Sequence, residues 1–135
     1  MATTMTGRYE GHLRTELAHL RSQSRILTDA PPDNQGRGEA FSPTDLVAAA
    51  LSSCMMTLMG ILAQREDIDL TGMTSEIEKV MSSNPRKISE IRITFTHPKL
   101  EATEIQKQKL IHAARTCPVA LSLAEGIRQE VQFNF

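Results

Sequence analysis

The stretch SPTDLVAAALSSCMMTLMGILAQR, residues 42–65, decides the fold. Between positions 46 and 64 it carries no charged residue, and one of its members is a cysteine, Cys54. Its start is punctuated as a helix. Ser42 can cap, Pro43 suits the first helical position, and Asp45 stands three residues after Ser42 as in a capping box. The length corresponds to a helix of about 33 Å at ~1.5 Å per residue. Ala48, Ala49, Ala50, Leu51, Met55, Met56, Leu58 and Met59 are mostly good helix formers. The apolar residues do not keep to one face, which is the pattern of a helix buried all round. A membrane span is the rival, since about 18 uncharged residues suffice for one. Ser52, Ser53, Thr57, Gly60 and Gln64 dilute the run, and it lies too far from the N-terminus for a signal peptide. A buried central helix is therefore expected. A chain this short barely covers such a helix, so a second subunit is expected to contribute.

Length and composition set the frame around that helix. The chain has 135 residues, 40% of them hydrophobic and 23% charged, which predicts one globular domain, 1–135. A net charge of −1 offers no electrostatic footprint for nucleic acid or an anionic membrane. With no Trp and 4% aromatics, stacking platforms for bases are missing too. The core has to be built from Leu, Ile, Val, Ala and seven Met. No targeting segment is visible, so a cytoplasmic location is the default. The two cysteines, Cys54 and Cys117, match no zinc spacing, and neither a metal nor a cofactor is expected.

Outward from the helix, residues 1–7 are small and polar and read as a frayed end. Residues 8–28 read as two or three antiparallel strands with a turn near Ser22-Gln23-Ser24. Residues 28–40, TDAPPDNQGRGEA, form a loop by composition that delivers the chain to the helix cap. After the helix, residues 73–83 and 87–97 read as paired strands with Asn84-Pro85-Arg86 between them. Residues 103–116 form an amphipathic helix capped by Thr103, with Ile105, Leu110, Ile111 and Ala114 on its apolar side and Lys107 and Lys109 facing water. Pro disfavours helix at the residue before it, so Cys117 is a break, and Pro118 opens a short helix reaching Ala124. Gly126 ends it, and residues 127–135 return as a strand. The fold class is α+β, antiparallel sheet packed with helices.

The thiols carry the candidate chemistry. A cysteine in an apolar helix is often a small hydrophobe, and reactivity needs thiolate, which an apolar site disfavours. Cys54 lies mid-helix, where the macrodipole helps little. A cation for it has to come from elsewhere, and the N-terminal strands offer Arg8, Arg14, Arg21 and Arg25. Cys117 precedes a Pro-started helix, whose backbone N–H groups favour an anion. His19 and His112 are candidate bases.

FSPTDLVAAALSSC, followed some sixty residues later by RTCPVALSL, resembles the osmotically inducible protein C / organic hydroperoxide resistance (OsmC/Ohr) family. The resemblance extends over nearly the whole chain, through Tyr9, Gly11 and Leu13, His19, Thr28-Asp29-Ala30-Pro31, Asp33-Asn34, Gly36, Gly38 and Phe41-Ser42-Pro43. It implies an OsmC-like fold, an intertwined homodimer whose antiparallel sheets wrap around long central helices, with each active site built from both subunits. It also implies a thiol-dependent peroxidase of peroxiredoxin-like activity, serving the antioxidant response. Cys54 would attack the O–O bond of an organic hydroperoxide and become a sulfenic acid. Cys117 would condense with it to a disulfide, which an external thiol reductant of dithiol or lipoyl type opens. Such a transient disulfide is compatible with a reducing compartment. Family enzymes carry Pro-Glu at the start of the central helix, the Glu orienting an Arg towards the reactive Cys. Here Thr44 follows Pro43 and the first carboxylate is Asp45, which places the chain nearer the OsmC-like branch. Arg21 is the best match for the family Arg, with Arg25 the other candidate. The rival function is a non-catalytic binding protein for small molecules or acyl chains on the same dimer, its cleft walled by Met55, Met56 and Met59.

Overall fold

The computed structural model describes residues 2–135. The elements run β1 (Met5–Gly11), β2 (Arg14–His19), β3 (Arg25–Asp29), α1 (Pro43–Arg65), β4 (Thr74–Ser82), β5 (Lys87–Thr96), α2 (Glu104–Arg115), α3 (Pro118–Ser122) and β6 (Arg128–Asn134). This is the expected α+β order with one long central helix. The chain forms two compact units, the first ending at Leu46 and the second Val47–Phe135.

The first unit is an antiparallel sheet in the order β1-β2-β3. The expected frayed end is corrected here, because Met5, Thr6 and Gly7 pair with His19, Ala18 and Leu17. Gly11, His12 and Leu13 turn the first hairpin with positive φ. Arg14 stands directly across from Asp29 in the β2–β3 register. Its Nε and Nη2 each donate to a different carboxylate oxygen of Asp29 at 2.7 Å. Asp29 is fully buried and also accepts the Glu39 N–H at 3.2 Å. The pair thereby ties the end of the 30–41 connection back onto the sheet. Within that connection a Cβ on Gly36 would lie 1.7 Å from the Ala30 carbonyl oxygen, so only glycine fits there. Up to Leu46, only Thr28, Asp29 and Ser42 among the described residues are buried, all polar. Met5, Tyr9, Leu13, Leu20, Ile26, Leu27 and Phe41 are exposed, so this sheet has no apolar core of its own.

Arg14, through its hydrogen bonds above all, holds the Asp29 carboxyl below the ordinary carboxylate value. A depressed value in the folded state means that the charged pair stabilises above the unfolded pKa of about 3.9. That contribution disappears as pH falls through the still lower folded value. Asp29→Asn is therefore expected to lower the melting temperature at pH 7. The gap to wild type should close as the pH drops below about 3.9, as followed by circular dichroism.

The second unit packs α1 against a three-stranded sheet ordered β4-β5-β6. The sheet departs from the all-antiparallel expectation. β4 and β5 pair antiparallel as an irregular hairpin, but β6 returns parallel to β5 because α2 and α3 carry the chain back to the other end. Ala48, Leu51, Met55, Met59 and Ala63 of α1 join Ile91, Ile93 and Phe95 of β5, and Leu110 and Ala114 of α2, in one core. Ser52 Oγ donates to Ser75 Oγ at 2.8 Å, fastening α1 to β4. α1 is long and apolar enough to cross a membrane by length and composition, yet one side of it lies in this core. The expectation of burial all round is corrected for the single chain, since Ala50, Ser53, Thr57 and Ile61 along the opposite side are exposed.

α2 starts on the expected Thr103, in a capping box with Gln106. Its apolar side is narrower than its sequence suggests. Leu110 and Ala114 are buried, but Ile105 is 72% exposed, and Lys107 is half-buried rather than solvent-facing. α3 stops at Ser122, two residues before the expected end.

Candidate active site

Cys54 sits in the middle of α1, half-buried against the core of the second unit. Cys117 lies at the break between α2 and α3, with no exposed surface. The break forms as the Pro118 ring requires: Cys117 takes an extended backbone and becomes the N-cap of α3. Its own N–H donates to the Ala114 carbonyl at 3.3 Å, and its Sγ accepts the Ala120 N–H, also at 3.3 Å. The two thiols are free, and both belong to the core of the second unit, Cys117 buried in it and Cys54 packed against it. Burial, first of all, pushes the Cys117 thiol up, and the neighbouring Cys54 adds to this, while the Ala120 N–H pulls the other way. The N-terminal helix position suggested an anion-favouring site for Cys117; desolvation outweighs it.

Position by position, α1 begins as expected. Ser42 Oγ accepts the Asp45 N–H at 3.0 Å, and Asp45 Oδ2 accepts the Ser42 N–H at 3.0 Å, a complete capping box. Arg21, expected on a strand, lies instead in the exposed turn between β2 and β3, because β2 ends at His19. Arg25 pairs with Glu16. His19 Nδ1 meets Ser22 Oγ at 2.6 Å and so serves the same turn. Arg14 was one of four arginines on the strands, and its pairing with Asp29 carries no local signal in the sequence.

Met55 and Met59 are 1% and 0% exposed, which makes them core residues rather than cleft walls and corrects that part of the binding-protein reading. An open apolar groove of about 700 Å³ instead runs over α2 beside α1, lined by Leu62, Ile105, Ala113, His112 and Thr116. His112 is exposed at this groove. Among the described residues no cluster of three or more His, Cys, Asp or Glu could hold a metal ion.

A family model described as OsmC-like protein matches residues 36–132. No curated protein matches the chain at a significant level. Among solved structures, a candidate osmotic stress induced and detoxification response protein from Psychrobacter arcticus 273-4 is 46% identical. The match covers 99% of this chain and 97% of that one, with a TM-score of 0.95. An organic hydroperoxide resistance protein OsmC from Legionella pneumophila superposes with a TM-score of 0.68 at 17% identity, over 100% and 99% of the two chains. An OsmC-like protein of unknown function from Vibrio cholerae gives a TM-score of 0.75 at 18% identity, over 97% and 99%. At the last two identities the likeness is one of fold.

Proposed function

The chain belongs to the OsmC-like protein family, and from that premise we propose that it is a thiol-dependent peroxidase that reduces organic hydroperoxides. The observation that carries the reading is that two free thiols from distant parts of the chain belong to one apolar core, Cys117 buried in it and Cys54 packed against it. Cys54 attacks as thiolate. Its sulfur bonds to one peroxide oxygen, the O–O bond breaks, and the alkoxide leaves as alcohol after taking a proton, giving a Cys54 sulfenic acid. The Cys117 sulfur then attacks the sulfenic sulfur, and the hydroxide leaves as water with the Cys117 proton. An external dithiol restores both thiols by two exchange steps.

Cys54 needs a cation, and α1 has none between positions 46 and 64. Arg21 remains our choice: Arg14 and Arg25 are engaged by carboxylates, whereas Arg21 makes no ion pair among the described residues. Asp45 is the carboxylate we assign in place of the family Glu missing at Thr44. A guanidinium stays charged throughout the physiological range and can favour a thiolate by 1–3 units on contact. The working assembly in this reading is a homodimer. A sheet without an apolar core and a helix whose side away from the core stays open, with Ile61 on it, both call for a second copy to cover them.

The test is catalytic turnover of cumene hydroperoxide with a dithiol reductant. Wild type should complete many turnovers, and Arg21→Ala should be about tenfold slower at pH 7. Equal rates for the two would remove Arg21 from the site. A second reading, a non-catalytic binding protein for small molecules or acyl chains, is favoured by the apolar groove over α2. Fatty-acid binding that survives Cys54→Ser, with no turnover by wild type, would select it.

A further inference from the structure

Cys117 has a second role in the reduced chain besides filling the core. It is the N-cap of α3, its Sγ accepting the Ala120 N–H at 3.3 Å. Little else holds this helix. α3 has five residues, none of them buried, and Leu121 is 73% exposed. The turn that follows it, 124–126, is exposed as well. The Ala120 carbonyl accepts Gln129 Nε2 of β6 at 3.0 Å, and Val119 and Ala120 rest half-buried on the core. Cys54 is held more firmly. It lies midway along the 23-residue α1, with Leu51 and Met55 in the core and Ser52 bonded to Ser75 of β4 at 2.8 Å.

We propose that α3 is a redox-sensitive lid, capped and closed over Cys117 in the dithiol form and uncapped and loosened in the disulfide form. The inference rests on the peroxidase reading for the disulfide and on the Cys117 cap for its geometry. The two sulfurs are unbonded, so a disulfide has to draw one side chain inside the ordinary nonbonded separation. Cys54 is fixed on a long packed helix and Cys117 sits at the break before a short one, so the movement falls on Cys117. In that step the sulfur–sulfur bond forms, the S–OH bond of the sulfenic acid breaks, and the hydroxide leaves as water with the Cys117 proton. A sulfur that swings towards α1 leaves the Ala120 N–H, and the first turn of α3 loses its side-chain acceptor. The loosening serves the next step. Thiol exchange requires access to a sulfur, and Cys117 has no exposed surface while α3 is closed. Once the external dithiol has restored both thiols, Sγ returns to the Ala120 N–H and the lid closes.

The test is amide hydrogen exchange of the full-length protein, read at peptides covering 118–123 with those of α1 as internal reference. Reduced wild type is compared with wild type oxidised by diamide, which takes one hydrogen from each thiol and makes the Cys54–Cys117 bond without peroxide. Two reduced variants accompany it. Cys117→Ala removes the cap, and Cys117→Ser keeps one, since a serine oxygen is a good N-cap acceptor. Oxidised wild type and Cys117→Ala are expected to exchange 118–123 at least about fivefold faster than reduced wild type, the size of a typical lost cap, with α1 unchanged. Cys117→Ser should stay within about twofold of wild type, and a dithiol should return the oxidised protein to its reduced rate. Equal exchange of 118–123 in reduced and oxidised wild type would overturn the proposal, as would failure of diamide to form the bond. If Cys117→Ala folds poorly, the oxidised wild type still decides. Turnover with peroxide judges the peroxidase reading separately: no turnover, beside a lid that opens with diamide, would remove that reading and leave this one standing.

Discussion

Cys54→Ser should leave no measurable hydroperoxide consumption, a loss of at least ~10³-fold, as is usual when the attacking atom of a covalent mechanism is removed. A serine hydroxyl at this half-buried position is neither ionised nor a soft nucleophile, so the O–O bond meets no attacking sulfur. Cys117→Ser should behave differently. Its Cys54 still reacts once with peroxide, to sulfenic acid or beyond, but no internal disulfide follows and turnover with a dithiol falls away. The pair of variants therefore separates the attacking thiol from the resolving one. Peroxide uptake by Cys54→Ser together with inert Cys117→Ser would reverse the roles. The burial of Cys117 makes the reversal implausible on physical grounds, since a thiol with no exposed surface and a raised pKa is a poor first attacker.

The second large effect concerns assembly. Light scattering should report twice the mass of one 135-residue chain at micromolar concentration. Ile61→Asp should abolish that dimer and, with it, stable folding. Ile61 is 42% exposed in the single chain and lies on the open side of α1 with Ala50, Ser53 and Thr57. The first sheet exposes a run of large apolar residues and buries only polar ones. An obligate interface covering both would exceed ~2,000 Å². An unpaired carboxylate enclosed there would cost several kcal/mol, a large share of the ~5–15 kcal/mol that holds a domain folded. A stable, well-folded monomer of wild type would remove the assembly from the account.

The central helix was legible because its signals are local: a Ser42–Asp45 capping box, Pro43 and an uncharged run all lie within one segment. The same holds for the hairpin at Asn84-Pro85-Arg86, for the Thr103 cap and for the break before Pro118, each set by a residue and its immediate neighbours. Pairing partners were not legible in this way. That β6 joins β5 in parallel depends on where α2 and α3 deliver the chain. Strand β1 begins at Met5 because β2 offers it a partner, not because MTG is a strong strand former. The site divides along the same line. Both cysteines were visible as residues, and their motifs carried a family resemblance. The burial that pushes the Cys117 thiol up, and the Arg14–Asp29 pair, arise from contacts between segments that no periodicity encodes. Ile105 shows the converse: a residue on the predicted apolar side of α2 that the folded chain leaves 72% exposed.

The most direct measurement is intact mass of the reduced wild-type protein after one equivalent of cumene hydroperoxide. The account predicts a loss of two hydrogen masses per chain, reversed by a dithiol, with peptide mapping placing the new bond between Cys54 and Cys117. A mass unchanged by peroxide, or an added oxygen with both thiols still separate in wild type, would contradict it.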